Sequence, residues 1–428
     1  MLPPLVPAPP VKARILIVSS ALLGFALSAS GEMLSGADTW WNGGQAAGNW
    51  LGTREVLSRN GLVMAGRWRG IYYGILDSEN GAGNAFPQEL VFSAQLDFAK
   101  ALRWEGVDGL SAFGEARWRE PGHRANPNNI VDADGLFNPS RYSGGVGWRL
   151  MEFGLSWRPP RFFGVDGPLA LKGGWVRPQQ EFVIQPVAQL FANNAMTSAK
   201  GLAGNIPFSS SFSTWGGTLE VRPVAWQYTK AGLFMSYPDP SDPANHGLMF
   251  RGNPDPAQNG LFFLGETGIT PELGEDKLPG RYAFGGYVYG ENNAEYGGNK
   301  CGFYWQADQM LWREDGDQGL RMFSLFIFAP RYNNDFSFYM HGGISYEGLL
   351  PGRPRDQLMA GVAMGNYGAS SAEDGVQPTQ TVLMEAGYRI RFSGWGFFQP
   401  FAQYISRPDG FADVANAAIL GISLGVDF

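Results

Sequence analysis

Polar and apolar residues alternate along several segments of the chain, and the alternation is most complete at the C-terminal end. The apolar set there is Leu420, Ile422, Leu424, Val426 and Phe428, and the positions between them hold glycine, serine or aspartate. A period of two predicts a β-strand with one apolar and one polar face, because an amphipathic helix would repeat its apolar residues three and four apart.

Four further segments alternate in the same way. They lie at 92–98, 214–222, 336–347 and 381–392, and in the third of them the apolar set is Phe336, Phe338, Met340, Ile344 and Tyr346. Alternating segments of roughly ten residues, separated by turn residues, are typical of a transmembrane β-barrel. At roughly 25 residues for each strand and its loop, the chain predicts about sixteen strands, with about eighteen as the alternative.

The stretches between these segments are rich in Pro, Gly, Asn and Asp, which favour turns and loops. Examples are 119–129, 238–247 and 251–260. We therefore predict an all-β fold: a transmembrane antiparallel β-barrel over 61–428 with long external loops and short periplasmic turns. The segment 323–330 is apolar on both faces, which indicates packing against an internal loop or a neighbouring subunit.

The N-terminus has the composition of a targeting segment. Lys12 and Arg14 flank an uncharged apolar run at 15–27, and small residues follow it. Because the run is too short to span a bilayer, this arrangement predicts a cleaved signal peptide over 1–30. A retained N-terminal anchor is the alternative. Residues 31–60 are predicted to form a short N-terminal periplasmic segment. Further along, no stretch of eighteen apolar residues occurs, so a membrane location requires strands.

The composition supports a barrel and excludes several other functions. The 428 residues include 60 glycines, 14% aromatic residues and only 17% charged residues, as expected when each strand has a lipid-facing side. The net charge of −7 argues against a nucleic-acid partner. A single cysteine, Cys301, and three widely separated histidines exclude an internal disulfide framework and the usual zinc spacings. We predict no metal and no cofactor.

Alternation also assigns nine charged residues to the inner wall of the barrel. They are Arg67 and Arg69 at 62–74, Glu115, Arg117 and Arg119 at 109–120, Glu220 and Arg222 on a middle strand, and Glu385 and Arg389 near the end. A sixteen-stranded barrel leaves an aqueous lumen, and solute choice depends on the groups at its narrowest point. Because arginines and carboxylates exchange hydrogen bonds with hydroxyl groups, these nine are candidate substrate-binding, pore-lining residues.

The C-terminal stretch resembles the carbohydrate-selective porin family of the OprB type. The matching positions are Glu385, Tyr388, Gln399, Pro400, Gln403, Tyr404, Pro408, Gly410, Asn416, Ala417, Gly421 and Phe428. Weaker similarity extends to 49–62, 172–182 and 190–194. The resemblance implies a sixteen-stranded barrel in the bacterial outer membrane that lets monosaccharides such as glucose, or other small sugars and polyols, diffuse through a water-filled pore.

Other functions remain open at this point. A general or anion-selective diffusion porin would share the barrel, and an energy-coupled protein would need a larger plug than residues 31–60 provide. An enzyme is not predicted, because no nucleophile elbow, the strand–turn–helix arrangement that carries a catalytic serine, accompanies His341. Expected partners are small sugars, outer-membrane lipid, the outer-membrane assembly machinery through Phe428, and two further copies of the chain in a homotrimer.

Overall fold

The structure is a computed structural model. It describes residues 40–41, 43–78, 82–120, 137–142, 147–162, 164–206, 213–236, 246–248, 250, 260–290, 299–371, 376–411 and 413–428. The predicted signal peptide lies outside the described residues, so its prediction stays untested. Within the described ranges, no helix is long and apolar enough to cross a membrane.

Sixteen long strands form one antiparallel sheet. In chain order they are β1 (Leu62–Asp77), β2 (Gln88–Asp97), β3 (Leu110–Glu120), β4 (Gly147–Trp157), β5 (Leu169–Val176), β6 (Thr214–Val224), β7 (Gln227–Ser236), β8 (Gly260–Ile269), β9 (Leu278–Tyr289), β10 (Lys300–Arg313), β11 (Gly319–Phe328), β12 (Phe336–Glu347), β13 (Gln357–Tyr367), β14 (Gln380–Arg391), β15 (Gly396–Ser406) and β16 (Ala417–Asp427). Because β1 pairs with both β2 and β16, the sheet closes into a barrel. The predicted fold and strand number are confirmed.

Short elements complete the described chain. Short strands at Gly83–Ala85 and Glu272–Leu273 extend the sheet, and Arg161–Phe162 pairs with Val165–Asp166. The helices are α1 (Thr53–Arg59), α2 (Phe98–Leu102), α3 (Pro178–Phe182), α4 (Asn194–Ser198) and α5 (Lys200–Asn205). Single 3-10 turns lie at Trp50–Gly52, Glu105–Val107, Val187–Leu190, Ala369–Ser371 and Pro408–Gly410.

The two ends of the barrel differ in their connections. At one end, which we call the turn end, strands are joined by short segments such as 225–226, 314–318 and 392–395. At the other, the loop end, the connections include the long segments 121–146, 177–213 and 237–259. In bacterial outer-membrane barrels the short turns are periplasmic and the long loops extracellular. The turn end therefore corresponds to the periplasmic side.

The outward face of the barrel is apolar, as the alternation predicts. On β16, the outward Leu420 is 53% exposed, whereas Ser423 on the opposite face of the strand points inward and is buried. Exposed large apolar side chains recur around the wall, for example Phe284 and Phe303, whose rings stack at 6.0 Å. A continuous outward apolar surface is what a lipid-embedded wall requires.

The N-terminal segment packs across the turn end. Trp40 lies against Trp395 with ring centroids 4.9 Å apart, and the Gly394 backbone N–H donates to the Trp41 carbonyl at 3.0 Å. The Ala46 N–H donates to the Asp427 carbonyl at 2.7 Å. These contacts put the described part of 31–60 at the end where β1 begins, and its assignment as a separate periplasmic segment stays a prediction.

The interior of the barrel holds an apolar core. Phe323, Leu325 and Ile327 on β11 point inward and are buried, and Phe323 contacts Phe191 with ring centroids 5.7 Å apart. The outward Phe328 is 51% exposed. The doubly apolar segment 323–330 therefore packs its inward face against an internal loop, which was one of the two predicted explanations.

One predicted face is wrong at the start of β12. Phe336 was predicted to lie outward with Phe338, but the strand register shifts between these two residues, and Phe336 is 1% exposed. The amide of Asn205 bonds both backbone groups of Phe336, donating to its carbonyl at 2.9 Å and accepting from its N–H at 2.8 Å. A bulge reverses the facing of the residues on one side of it, so simple alternation fails there.

Candidate functional site

After β5 the chain leaves the barrel wall and folds into the lumen over residues 177–206, which we call the inner loop. α3 begins at Pro178, whose fixed φ suits the first turn of a helix. The Glu152 carboxylate on β4 accepts the Arg177 backbone N–H at 3.0 Å. This bond fixes the point at which the chain turns inward.

The inner loop is apolar because it packs against protein rather than water. Val187, Phe191, Met196 and Leu202 are buried in the same core as inward side chains of the surrounding strands. Gly361 on β13 provides the space, since a Cβ there would lie 2.7 Å from the Met196 Cε. The loop therefore rests on one side of the barrel, strands β10–β15, which we call the packed wall.

Amide side chains attach the inner loop to the packed wall. The Gln185 amide donates to the Ala307 and Ser324 carbonyls, both at 2.9 Å, and its oxygen lies 2.9 Å from the His341 Nε2. The Tyr339 hydroxyl donates to the Ala195 carbonyl at 2.6 Å. Each bond satisfies a polar group that the closed lumen would otherwise leave buried without a partner.

Glu385 is the carboxylate in this attachment. Its two oxygens accept the backbone N–H groups of Ala192 at 2.6 Å and Asn193 at 3.0 Å, and Gln403 donates to it at 3.2 Å. Glu385 was predicted to line the pore. It does point inward, but the inner loop covers it and it is 2% exposed, so it holds the loop and does not face the open lumen.

A second segment, residues 137–142, also enters the lumen. The Asn194 N–H donates to the Asn138 carbonyl and the Arg141 N–H to the Ala192 carbonyl, both at 2.9 Å. The Arg141 guanidinium donates to the backbone and side-chain oxygens of Gln189. Burial lowers the pKa of Arg141, although a guanidinium stays protonated at neutral pH. The two inward segments thus brace each other and narrow the pore.

Opposite the packed wall lies a charged wall, strands β1–β5. Arg119 on β3 donates to Glu89 on β2 at 2.7 Å, and Arg177 pairs with Glu115 at 2.9 Å and with Glu152 at 3.3 Å. Guanidinium and carboxylate groups therefore alternate across neighbouring strands. Such charge-assisted hydrogen bonds are the strong ones in proteins.

These groups line a small cavity that we call the arginine cavity, with a free volume of about 40 Å³. Its lining is Arg67, Glu89, Val91, Glu115, Arg117, Arg119, Arg141, Arg177, Gln180 and Ser198. Four of the nine predicted pore-lining residues meet here, namely Arg67, Glu115, Arg117 and Arg119. The inner loop and the charged wall approach each other closely around this cavity.

Three charged residues of this cavity were not predicted from the sequence, namely Glu89, Arg141 and Arg177. Glu89 could have been found, because it shares an inward face with Val91 on β2. Arg141 and Arg177 could not, since they lie in segments that fold inward from the loops, where alternation assigns no face.

Two other predicted residues lie lower in the lumen, beside a second cavity of about 530 Å³ near the turn end. Glu220 lines it and accepts from Arg222 at 2.8 Å. In the same cavity, Glu181 of the inner loop pairs with Lys172 at 2.6 Å and with Lys230 at 3.3 Å. Burial favours the neutral acid, but the two ammonium groups outweigh it and lower the pKa of Glu181.

The remaining two predicted residues support other elements. Arg69 pairs with Asp427 at 2.5 Å across the closing seam of the barrel. Arg389 donates to Gln399 at 2.7 Å and to the Leu190 carbonyl at 3.3 Å, which attaches the inner loop. Neither belongs to the lining of the arginine cavity.

Comparison with known proteins adds to this geometry. The sequence profile described as "Carbohydrate-selective porin, OprB family" matches residues 85–428. Porin B of Pseudomonas aeruginosa is 22% identical over 426 residues, covering 89% of this chain and 90% of its own length. The high-pH structure of Pseudomonas putida OprB is similar with a TM-score of 0.78 at 21% identity, over 90% of this chain and 99% of that one. The low-pH structure of the same protein gives 0.56 at 18% identity, with the same coverage.

Proposed function

This chain belongs to the OprB family of carbohydrate-selective porins, and from that premise we propose that it admits neutral monosaccharides such as glucose past the charged groups that line the arginine cavity. It is an outer-membrane β-barrel channel for carbohydrates, and the family consists of channels rather than enzymes. Diffusion is passive, so selection depends on the width and the chemistry of the narrowest point.

The observation that carries the proposal is the interleaving of guanidinium and carboxylate groups at the constriction. A sugar presents hydroxyl groups that both donate and accept hydrogen bonds. Arg119 and Arg177 offer donors only, whereas Glu89 and Glu115 offer acceptors only. Because both kinds of group face one cavity, a polyol can replace its water shell there at several points around its ring.

The carboxylates distinguish this lining from one made of positive groups alone, although arginines outnumber them five to two. A pore selected for anions would gain from a constriction lined by positive groups alone. Here Glu89 lies among the arginines, 2.7 Å from Arg119 and 3.9 Å from Arg117. Glu89 and Glu115 serve as acceptors for a neutral hydroxyl, which a lining of arginines alone would not supply.

Planar-bilayer conductance tests the proposal. We expect glucose to reduce the ion current, with maltose and succinate as comparison solutes. Substitution of Glu115→Gln or Arg67→Gln should weaken the apparent glucose affinity by about tenfold, since each replaces a charged hydrogen-bonding group by a neutral one. The matched control is Arg161→Gln, an arginine in an exposed pair with Asp166 between β4 and β5, which should leave the block unchanged.

A strong preference for succinate, with no current block by glucose, would contradict the proposal and favour a general or anion-selective pore. Liposome swelling with sugars of increasing size supplies an independent measure of the size limit. Swelling should be fast with monosaccharides and fall steeply for larger sugars, because the arginine cavity is narrow in this conformation.

We also propose the remaining partners on structural grounds. The outward apolar wall suits contact with lipid, and the C-terminal Phe428 suits recognition by the outer-membrane assembly machinery. In the folded barrel Phe428 exchanges two backbone hydrogen bonds with Gly66, at 2.8 and 2.9 Å, so such recognition would precede closure of the seam. A homotrimer stays a prediction, which native mass spectrometry would check.

A further inference from the structure

A third cavity, of about 380 Å³, lies under the inner loop on the packed-wall side, and we call it the exit cavity. Its lining includes Glu347, the last residue of β12, and Gln357, the first of β13. Both flank a connection at the turn end, which places the exit cavity on the periplasmic side of the constriction. It shares no lining residue with the arginine cavity.

One side of the exit cavity is apolar. The 3-10 turn Val187–Leu190, preceded by Pro186, forms the underside of the inner loop there. Leu190 is held in place through its carbonyl, which accepts from Gln399 at 2.8 Å. This side is therefore an apolar surface whose position is fixed by hydrogen bonds.

The opposite side carries hydrogen-bonding groups. Arg321 and Asp308 form a half-buried pair with 3.4 Å between Nη1 and Oδ1, and both keep hydrogen-bonding capacity that this single contact does not use. Gln357 donates to Glu347 at 2.9 Å. The Oε1 of Gln357 is buried, and no donor in the described part of the chain bonds to it. A buried acceptor without a donor is unfavourable, and rotation of the Gln357 amide toward the exit cavity would let a ligand hydroxyl satisfy it.

Charge indicates which kind of ligand fits. Three carboxylates line the exit cavity, those of Asp308, Asp317 and Glu347, against the two guanidinium groups of Arg281 and Arg321. Arg281 is itself committed to Glu266 at 2.7 Å. This balance disfavours an anion, while an apolar surface facing acceptors and donors matches a neutral pyranose, which has an apolar ring face and an edge of hydroxyls.

We propose that the exit cavity is a second binding site for a neutral monosaccharide, in series with the arginine cavity. The inference rests on the proposed function, since a sugar must pass the constriction to reach it. Several weak binding sites in series speed the release of a solute from the pore, because no single site binds it tightly. The sugar rests its ring on Val187 and Leu190 and donates a hydroxyl to Gln357 Oε1.

Substitution of Gln357→Leu tests this assignment, because it removes the acceptor and keeps the approximate volume. In bilayers, the apparent affinity for glucose added on the turn-end side should fall by about two- to tenfold, the value of one hydrogen bond. The matched control is Gln95→Leu, a lumen glutamine in the opposite cavity at the same end, hydrogen-bonded to Ser111. It should leave that affinity unchanged.

Chemical protection gives a second measurement that does not require Gln357→Leu to fold. In a Cys301→Ser background, Ser345→Cys places a thiol in the exit cavity, and Ser156→Cys places one in the opposite cavity. Glucose should slow the reaction of a small thiol reagent at 345 and not at 156.

An unchanged glucose affinity in Gln357→Leu, or equal reaction rates at 345 with and without glucose, would overturn the exit site while leaving block at the arginine cavity intact. Absence of glucose block in the unaltered protein would overturn the proposed function instead. The two failures are therefore distinguishable.

Discussion

The two sides of the lumen differ in what their inward positions do. On the charged wall, inward residues such as Arg119 and Glu89 meet each other across neighbouring strands and face a narrow aqueous cavity. On the packed wall, inward residues such as Phe323 and Glu385 are covered by the inner loop. Both walls follow the same two-residue period. The comparison teaches that alternation determines which residues face inward, whereas the loops determine which of these face water.

The packed wall and the charged wall therefore have different roles. The packed wall holds the inner loop at one side through buried contacts and amide bonds, and the charged wall supplies the groups that a solute meets. Three predictions follow for substitutions on the two sides, in order of decreasing effect on the channel.

The largest effect is expected from Glu385→Ala on the packed wall. It leaves the N–H groups of Ala192 and Asn193 without their acceptor, and each buried unsatisfied donor costs about 1–3 kcal/mol. The loop should relieve this by leaving the wall, so single-channel conductance should rise and the sugar size limit should be lost. Conductance and liposome swelling measure both.

Two variants control for this effect. Glu385→Gln retains one acceptor oxygen and should give an intermediate conductance. Glu55→Ala removes an exposed carboxylate on α1 that pairs with Arg59, and should change nothing. A Glu385→Ala channel with the conductance of the unaltered protein would show that the carboxylate does not hold the loop.

A smaller effect on the pore, but a clear loss of stability, is expected from Phe191→Ala. The ring is buried against Phe323, and removing a buried phenylalanine costs about 3–5 kcal/mol. The midpoint of the heat-dependent electrophoretic shift should fall. The control is Phe328→Ala on the outward face of β11, where no internal void forms. Equal losses in the two variants would contradict a packed interior.

The smallest effect is expected from Glu181→Gln, on the boundary between the two walls. Because Lys172 and Lys230 lower the pKa of Glu181 beneath its usual 4.5, this carboxylate stabilises the fold above that pH, and the contribution is lost as the pH falls through the lowered pKa. Glu181→Gln should lower the free energy of unfolding by about 1–2 kcal/mol near neutral pH, which is less than the loss expected on breaking a fully buried ion pair. The difference from the unaltered protein should vanish in strong acid; a difference independent of pH would contradict the pairing.

The barrel and part of the constriction were predictable from the sequence. The period of two in β3 and β1 places Glu115, Arg117, Arg119 and Arg67 inward, and these four do meet. The burial of Glu385 beneath the inner loop was not predictable, because its partners are backbone groups of a loop about two hundred positions away in the chain. The same holds for Arg141 and Arg177, which reach the cavity from loops. Phe336 was misassigned because a bulge shifts the register.

The central claim is that the inner loop, held on the packed wall, forces a sugar past the arginine cavity. A glucose titration of single-channel current tests it most directly, comparing the unaltered protein with Glu385→Ala. The account predicts that glucose blocks the unaltered channel in a saturable way and that this block disappears in the variant while its conductance rises. Block of unchanged affinity in a channel with a released loop would contradict the account.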